Sequence, residues 1–153
     1  MRKIISIVLV VIIIAFCCGC NKNNNNITSE TKSYKIALVC NFDDAKDGET
    51  GANIYKSISD FYGLENHPGR KFHPQSDKSL HIISSVESAI SDGYNVITVI
   101  GNEYGNAVSS IAAEYPYIIF IIFGMSDAIA LHNNVYCSNI GVDYLAFYNS
   151  ILK

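Results

Sequence analysis

The sequence lacks an excess of positive charge. Its 153 residues include 11 Lys and Arg against 14 Asp and Glu, which gives a formal net charge of −3 at pH 7. Proteins that bind nucleic acids use clusters of Lys and Arg to neutralise phosphates, and a mildly acidic chain works against that attraction. We therefore expect no nucleic-acid partner.

Patterns typical of enzymes and metal sites are also missing. There is no nucleophile elbow, and Gly101 and Gly105 match neither a dinucleotide fingerprint nor a P-loop. The acids between Asp43 and Glu49 do not have EF-hand spacing, which favours a solvated loop before a helix N-terminus. We expect no catalytic site, no cofactor and no metal site. Four histidines without ligand spacing are interpreted as surface residues: His67, His73, His81 and His132.

The N-terminus has the pattern of a secretory signal. Arg2 and Lys3 precede an uncharged apolar run from Ile4 to Phe16, which is typical of a signal h-region. The run is too short to cross a bilayer, which needs roughly 20 apolar residues. Gly19-Cys20 follows, and this pair resembles the lipobox cleaved by bacterial lipoprotein signal peptidase. We expect residues 1–19 to be a lipoprotein signal peptide and Cys20 to be the lipidated N-terminus.

Two other interpretations of the three clustered cysteines are weaker or remain open. A zinc site usually needs a second pair of ligands downstream, and the sequence offers none. An uncleaved apolar anchor stays possible, and it would also leave the following domain outside the cytoplasm. We expect a chain anchored by lipid to the extracytoplasmic face of a bacterial cell membrane, because two or more acyl chains give stable anchoring.

Residues 20–33 are predicted to be a flexible tether. The segment "NKNNNNITSETKS" is polar and has no apolar periodicity, so it cannot bury enough surface to offset the entropy of ordering. The mature chain then keeps two further thiols, Cys40 and Cys137. Both fall in predicted strands, where a buried, unpaired cysteine is favoured over a disulfide.

Buried strands alternate with amphipathic helices from residue 34 onward. Apolar runs without in/out alternation predict strands that are covered on both faces, and apolar residues spaced three or four apart predict helices. This order predicts an α/β fold, a doubly wound and mostly parallel sheet with helices on both faces. The predicted strands are 34–40, 96–100, 117–123 and 135–138, with a short one at 71–73. The predicted helical faces contain Ile54, Ile58 and Phe61; Leu80, Ile83, Val86 and Ile90; Val108, Ile111, Ala112 and Tyr115.

The segments that follow the strands are the predicted ligand-binding regions. In open α/β sheets, ligands bind beyond the carboxyl ends of the strands at a topological switch point. That rule selects the loops 41–51, 101–106, 124–127 and 139–143.

Three segments together resemble one protein family. They are "KIALVCNFDDAKDGETGANIYKSI", "AISDGYNVITVIGNEYGNAVSSIAAEYPYIIFIIFG" and "NVYCSNIGVDYLAFYNSI". With the lipobox and the order of elements, they look like the N-terminal half of the basic membrane protein family, over about residues 35–153. The resemblance implies the N-terminal lobe of a type I periplasmic-binding-protein-like lipoprotein, of which several deliver purine nucleosides to ABC transporters. It implies a nucleoside-like small-molecule ligand, an ABC permease as partner, and a membrane reached through the N-terminal lipid.

The resemblance also implies a set of ligand contacts. Asn41 aligns with the first acid that the family carries after its first strand, and Asp47 with the second Asp of its Asp pair. Thr50 and Gly51 stand where the family has a stacking Phe and a base-binding Asn, and Tyr104 is the aromatic residue that could offer a face instead. The predicted ligand-binding residues are Asn41, Asp43, Asp47, Tyr104 and Asp127.

In the family a second lobe follows the first. We expect residues 34–141 to form the N-terminal lobe, and residues 142–153 to match the first helix of a second lobe that this truncated or split chain lacks. The apolar stripe of that helix would then be uncovered, or the helix would fold back on the first lobe. An alternative function is a surface lipoprotein, or a decayed remnant of a binding protein, that binds no small molecule and acts, if at all, through protein contacts.

The lipid anchor gives a first testable prediction. Expressed in a bacterium, the mature chain should begin at Cys20 and carry a diacylglyceryl group, because Gly19-Cys20 occupies the cleavage position of a lipobox. Mass spectrometry of the N-terminal peptide measures this. In a Cys20→Ala variant the signal should remain attached, whereas Cys40→Ala should be processed normally. An unmodified mature N-terminus at another residue would contradict the prediction.

Overall fold

A five-stranded, all-parallel sheet forms the centre of the folded unit. The computed structural model describes residues 33–46, 48–63, 67–125 and 132–153, and the predicted signal, Cys20 and nearly all of the tether lie outside them. The strands are β1 (Ile36–Val39), β2 (Arg70–Phe72), β3 (Val96–Ile100), β4 (Ile119–Phe123) and β5 (Val135–Ser138). They lie in the order β2-β1-β3-β4-β5, and every neighbouring pair is parallel. The predicted doubly wound α/β fold is confirmed.

Two helices cover each face of the sheet. The helices are α1 (Thr50–Tyr62), α2 (Ser79–Ser91), α3 (Asn102–Ile111), which continues into a 3-10 turn (Ala112–Glu114), and α4 (Tyr144–Leu152). Helices α2 and α3 pack on one face and helices α1 and α4 on the other. Strands β1 and β3 are buried along their whole length, because alternate side chains of each strand enter opposite cores.

The inward face of α2 differs from the predicted one. The helix buries Ile82, Val86 and Ala89, while Leu80 is 74% exposed. Ile83 and Ile90 are only partly buried at the margin of the core. The prediction for Leu80 is wrong because Ile82 and Ile83 are adjacent, so periodicity alone allows either of two faces. Ala89 counts little in a hydrophobicity pattern but fits closely against the sheet.

Helix α4 folds back on the lobe, so residues 142–153 do not carry an uncovered stripe. The helix begins at Asp143, whose side chain accepts a hydrogen bond from the Ala146 N–H at 2.9 Å, an N-cap that satisfies a free helix-end donor. Tyr148 is fully buried and Leu152 is 6% exposed. Folding back is favoured because it removes this apolar surface from water.

Tyr148 attaches α4 to the centre of the sheet. Its hydroxyl and that of Thr98, in the middle of β3, form a 2.9 Å hydrogen bond, and both side chains are fully buried. The ring also lies 6.1 Å from that of Phe123 and 6.2 Å from that of Phe61. Aromatic pairs at such separations stabilise a core beyond simple burial. None of the helices in the described part of the chain is long and apolar enough to cross a membrane.

Removing the Tyr148 hydroxyl should destabilise the fold. In Tyr148→Phe the Thr98 hydroxyl loses its partner inside the core, which costs about 1–3 kcal/mol in the free energy of unfolding. Chemical denaturation measures this free energy. The double variant Tyr148→Phe/Thr98→Val should regain most of the loss, because it leaves no polar group unpaired. Tyr117→Phe, at a 93% exposed position, is the matched control and should change nothing. Equal destabilisation in the single and double variants would contradict the assignment.

Candidate functional site

The topological switch point lies between β1 and β3. From β1 the chain crosses to β2 on one side, and from β2 it passes over β1 to β3 on the other side. The loops that leave the carboxyl ends of β1 and β3 therefore diverge and open a crevice between them. Two of the predicted regions, 41–51 and 101–106, form the borders of this crevice.

The loop after β1 is held by its own polar groups. The side-chain Oδ1 of Asn41 accepts a hydrogen bond from the Asp44 N–H at 2.7 Å, and the Asp44 carbonyl accepts one from the Ala52 N–H at 3.1 Å. A Cβ at position 51 would collide with the Asp44 carbonyl oxygen. Gly51 is therefore needed for the close approach of the loop to the first turn of α1.

Acidic groups dominate this end of the sheet. Asp43 is exposed and forms an ion pair with Lys46, and this hydrogen-bonded partner lowers the pKa of the Asp43 carboxyl. For Asp44 the pKa is raised, first by burial and then by the charges of Glu49, Asp77 and Asp43. The two neighbouring carboxyls thus differ in environment, and the loop carries net negative charge at neutral pH.

Tyr104 is part of the core in this structure. It is 4% exposed, and its hydroxyl donates to Asp77 Oδ1 at 2.8 Å. Burial, together with that hydrogen bond and the Asp77 charge, raises the pKa of the hydroxyl. The ring lies on the inward stripe of α3 with Val108 and Ile111. Tyr104 thereby links α3 to the segment before α2.

Phe42 is an exposed aromatic side chain in the loop after β1, on the side of that loop next to the end of β2. It follows β1 directly, is 71% exposed, and stacks on the His73 ring with centroids 4.2 Å apart and planes 24° from parallel. His73 Nδ1 lies 2.9 Å from the Cys40 carbonyl oxygen. A carbonyl can only accept, so Nδ1 carries the proton and donates. This bond holds the imidazole in place beneath Phe42, which leaves the other face of Phe42 to solvent.

Sequence reasoning did not select Phe42. The family alignment directs attention to positions 50 and 51, and an isolated aromatic residue produces no periodic pattern. The one available signal is its position directly after a buried strand, within the loop 41–51 already selected by the switch-point rule. Its support by His73 connects residues far apart in the chain, which only the fold reveals.

The predicted ligand-binding residues are only partly brought together. Asn41 and Asp43 share the loop after β1, and Tyr104 lies across the switch point in the first turn of α3. Asp47 and Asp127 lie outside the described residues. The roles of all five residues in ligand binding stay predictions. In the described part of the chain, no group of three or more His, Cys, Asp or Glu side chains is placed to hold a metal ion.

Two grooves lie outside the crevice. The first, of 410 Å³, lies at the amino ends of the strands and is lined by Lys35, His67, Pro68, Arg70, Asp92 and Tyr94. The second, of 360 Å³, lies between the end of β2 and α2 and is lined by Phe72, His73, Gln75, His81, Ser84, Ser85 and Ser88. His73 thus contributes to the second groove and also supports Phe42.

Comparison with known proteins agrees with this architecture. Residues 34–147 match the profile of a family described as Bmp, ABC transporter substrate-binding protein PnrA-like. The chain belongs to the Bmp family. Its members are substrate-binding proteins and not enzymes, so the chain is of the general kind that binds a small molecule for an ABC transporter.

A solved structure supports the fold of this Bmp-family chain. It is the crystal structure of a protein fragment described as a lipoprotein, from Peptoclostridium difficile 630, with a TM-score of 0.61 and 15% sequence identity. The match covers 77% of this chain and 93% of that one. At this identity the likeness shows the fold alone. No curated protein matches the chain.

The environment of Asp44 predicts a pH effect. Its folded-state pKa is raised, so the folded protein binds more protons than the unfolded chain between the usual carboxyl pKa of 3.8 and the raised value. Stability therefore falls as pH rises through that window. Asp44→Asn should flatten this part of the profile and increase the free energy of unfolding at pH 7, as measured by denaturation at a series of pH values.

Asp43→Asn is the matched control. Its pKa is lowered by Lys46, so its stabilising contribution is lost as pH falls, and its removal should not flatten the decline at rising pH. Since Asp43 is exposed, the change should be small. If Asp43→Asn flattened the profile and Asp44→Asn did not, the assignment of the raised pKa would be wrong.

Proposed function

We propose that the chain is a lipid-anchored, extracytoplasmic solute-binding lipoprotein of a bacterial ABC importer, and that its ligand is nucleoside-like. Cys20 carries the lipid, and the ligand binds at the carboxyl ends of β1 and β3. An ABC permease in the same membrane receives the ligand.

The exposed ring of Phe42, in the loop that leaves the carboxyl end of β1, is the observation that carries this proposal. A planar base needs an aromatic face against which to stack, and base–aromatic stacking contributes about 1–3 kcal/mol. The lower face of Phe42 is already occupied by His73 at 4.2 Å. The ring is therefore pre-oriented, which reduces the entropy lost when a base stacks on its free face.

Polar groups around Phe42 suit the edge of a base or a ribose. Asn41 uses Oδ1 to hold the loop, so its amide NH2 is the group that can donate to a ligand. The Asp43 carboxylate accepts hydrogen bonds from ribose hydroxyls or base N–H groups. We propose that Asp47 and Asp127, which follow β1 and β4 in sequence, complete the set. Tyr104 supports the ligand site from within the core, since its ring is buried and its hydroxyl is bonded to Asp77.

The charge of the site favours an uncharged ligand. Asp43, Asp44 and Asp77 lie near one another at this end of the sheet, and a phosphorylated ligand would be repelled by them. A nucleoside carries no phosphate and retains every group that the site can recognise. A second lobe or a partner must cover the crevice for tight binding, because it lies on an outer edge of the sheet.

The alternative function, a lipoprotein acting through protein contacts alone, loses one of its supports. An exposed apolar stripe along residues 142–153 would have offered a contact surface, whereas the absence of the family's stacking Phe at position 50 still favours this alternative. In the structure the largest side chain of this stripe, Tyr148, is fully buried against the sheet.

Phe42→Ala tests the proposal. Loss of the stacking face should weaken the binding of a purine nucleoside by about 5- to 150-fold. Isothermal titration of the full chain in detergent with adenosine, inosine and guanosine measures the affinity. Fold and thermal stability should change little, because Phe42 is 71% exposed.

Tyr117→Ala removes an exposed aromatic ring at the opposite end of the sheet and serves as the matched control. It should leave the affinity unchanged. Nucleoside binding that survives Phe42→Ala unaltered would show that this ring is not the stacking face. If none of the nucleosides bound to the wild-type chain, the nucleoside-like ligand would be wrong.

A further inference from the structure

The groove at the amino ends of the strands collects hydrogen-bond donors. Lys35 enters it from the residue before β1, Arg70 from the first residue of β2, and His67 from the segment before β2. The site at the opposite end of the sheet does not use any of these three side chains.

The side chains of this groove are held in donor states. The Lys35 Nζ donates to the Asp92 backbone carbonyl at 2.6 Å and lies 4.3 Å from the centroid of the Tyr94 ring. The Gly69 N–H donates to His67 Nδ1 at 3.1 Å, so the neutral imidazole carries its proton on Nε2 and can donate it. The His67 ring stacks on Tyr62, with the planes 11° from parallel. The groove therefore offers fixed donors.

Among the described residues, no carboxylate forms an ion pair with the two cations of the groove, Lys35 and Arg70. In the described residues the ion pairs are Lys46–Asp43 and Lys56–Asp60, and neither involves Lys35 or Arg70. Of the described residues that line the groove, Asp92 is the one with a carboxylate, and it is exposed. In this described lining, two cations and an imidazole outnumber one exposed carboxylate, which matches the charge and hydrogen-bonding needs of a phosphate group.

The chain enters the fold at this same edge. The Asn95 side chain donates to the Ser33 carbonyl at 3.0 Å, and its Oδ1 accepts from the Lys35 N–H at 2.8 Å. These two bonds fix Ser33 beside the amino ends of β1 and β3. The segment that joins Ser33 to Cys20 therefore starts next to the groove.

We propose that this groove binds the phosphate group of an anionic phospholipid headgroup in the membrane to which the chain is anchored. The inference rests on the lipid anchoring proposed above. Binding of a headgroup in this groove would place the amino edge of the sheet against the bilayer. The Phe42 site at the other edge would then face the solution, where solute is captured.

A weak site is sufficient for this role. A short tether keeps the groove at an effective concentration in the millimolar range near the headgroups, so only a modest affinity is needed. Each Lys or Arg close to an anionic surface increases the ratio of bound to free orientation about fivefold. The acidic end of the sheet, which contains Asp43 and Asp44, is repelled by the same surface and reinforces the orientation.

Fluorophores at opposite ends of the sheet test the orientation. In a Cys137→Ser background, one label is attached at Tyr117→Cys, before β4, and the other at Leu80→Cys, in the first turn of α2; the native residues are 93% and 74% exposed. The lipidated full chain is reconstituted in vesicles of phosphatidylcholine, with or without about 30 mol % phosphatidylglycerol as the source of anionic phosphate. A lipid with a nitroxide on its headgroup quenches nearby labels.

Phosphatidylglycerol should increase quenching at position 117 and not at position 80. Lys35→Gln and Arg70→Gln should each reduce the ratio of bound to free orientation about fivefold. Lys56→Gln, which removes an exposed cation on α1, should have little effect. Inorganic phosphate should reverse the quenching more than chloride at equal ionic strength, because the groove recognises the phosphate group.

The failures of the two proposals are distinguishable. If the chain does not float with phosphatidylcholine vesicles, the lipid anchor is wrong and the inference falls with it. If the chain floats but both labels respond equally to phosphatidylglycerol, or Lys56→Gln acts like Arg70→Gln, the anchor stands and the headgroup site is wrong. Reversal of quenching by phosphate and chloride alike would also overturn it, since general screening would then explain the effect.

Discussion

Burial of both faces of the central strands is the constraint on which the rest of this structure depends. Strands β1 and β3 are buried along their whole length, so helices must cover the sheet on both sides. Neighbouring strands are parallel, so the described helices between β1 and β4 return the chain to the same edge of the sheet before the next strand. Parallel strands place all their carboxyl ends at one edge and all their amino ends at the other. The fold therefore separates two surfaces, and each has a distinct charge and a distinct proposed role.

Those two edges differ in chemistry as well as position. The carboxyl edge carries the acidic loop after β1 and the Phe42–His73 stack, which suit an uncharged planar ligand. The amino edge carries Lys35, Arg70 and the point at which the chain enters the fold. In the proposed arrangement, the anchor enters at one edge of the sheet and the solute site lies at the other, so the two proposed roles do not compete for the same surface.

Much of the fold follows from the sequence, whereas the site does not. The bounds of β3 and β5 are those predicted, because each is a short strand-forming segment between turn-forming residues. The predicted inward face of α2 is wrong because neighbouring isoleucines leave the helical phase ambiguous.

The candidate site is harder to predict from the sequence. Tyr104 has the spacing of a core residue with Val108 and Ile111, yet the loose family alignment favours a ligand contact. The position of α4 and the exposure of Phe42 depend on contacts between distant segments, Tyr148 with Thr98 and Phe42 with His73, which local patterns do not contain.

The central claim is that ligand binds where the carboxyl ends of β1 and β3 diverge. Backbone amide NMR during a titration with a purine nucleoside tests this most directly, because it reports on all parts of the described lobe at once. The account predicts that the perturbed amides cluster in residues 41–46 and 101–105. Perturbations confined to the grooves lined by Arg70 or by His81, or spread evenly over the lobe, would contradict it.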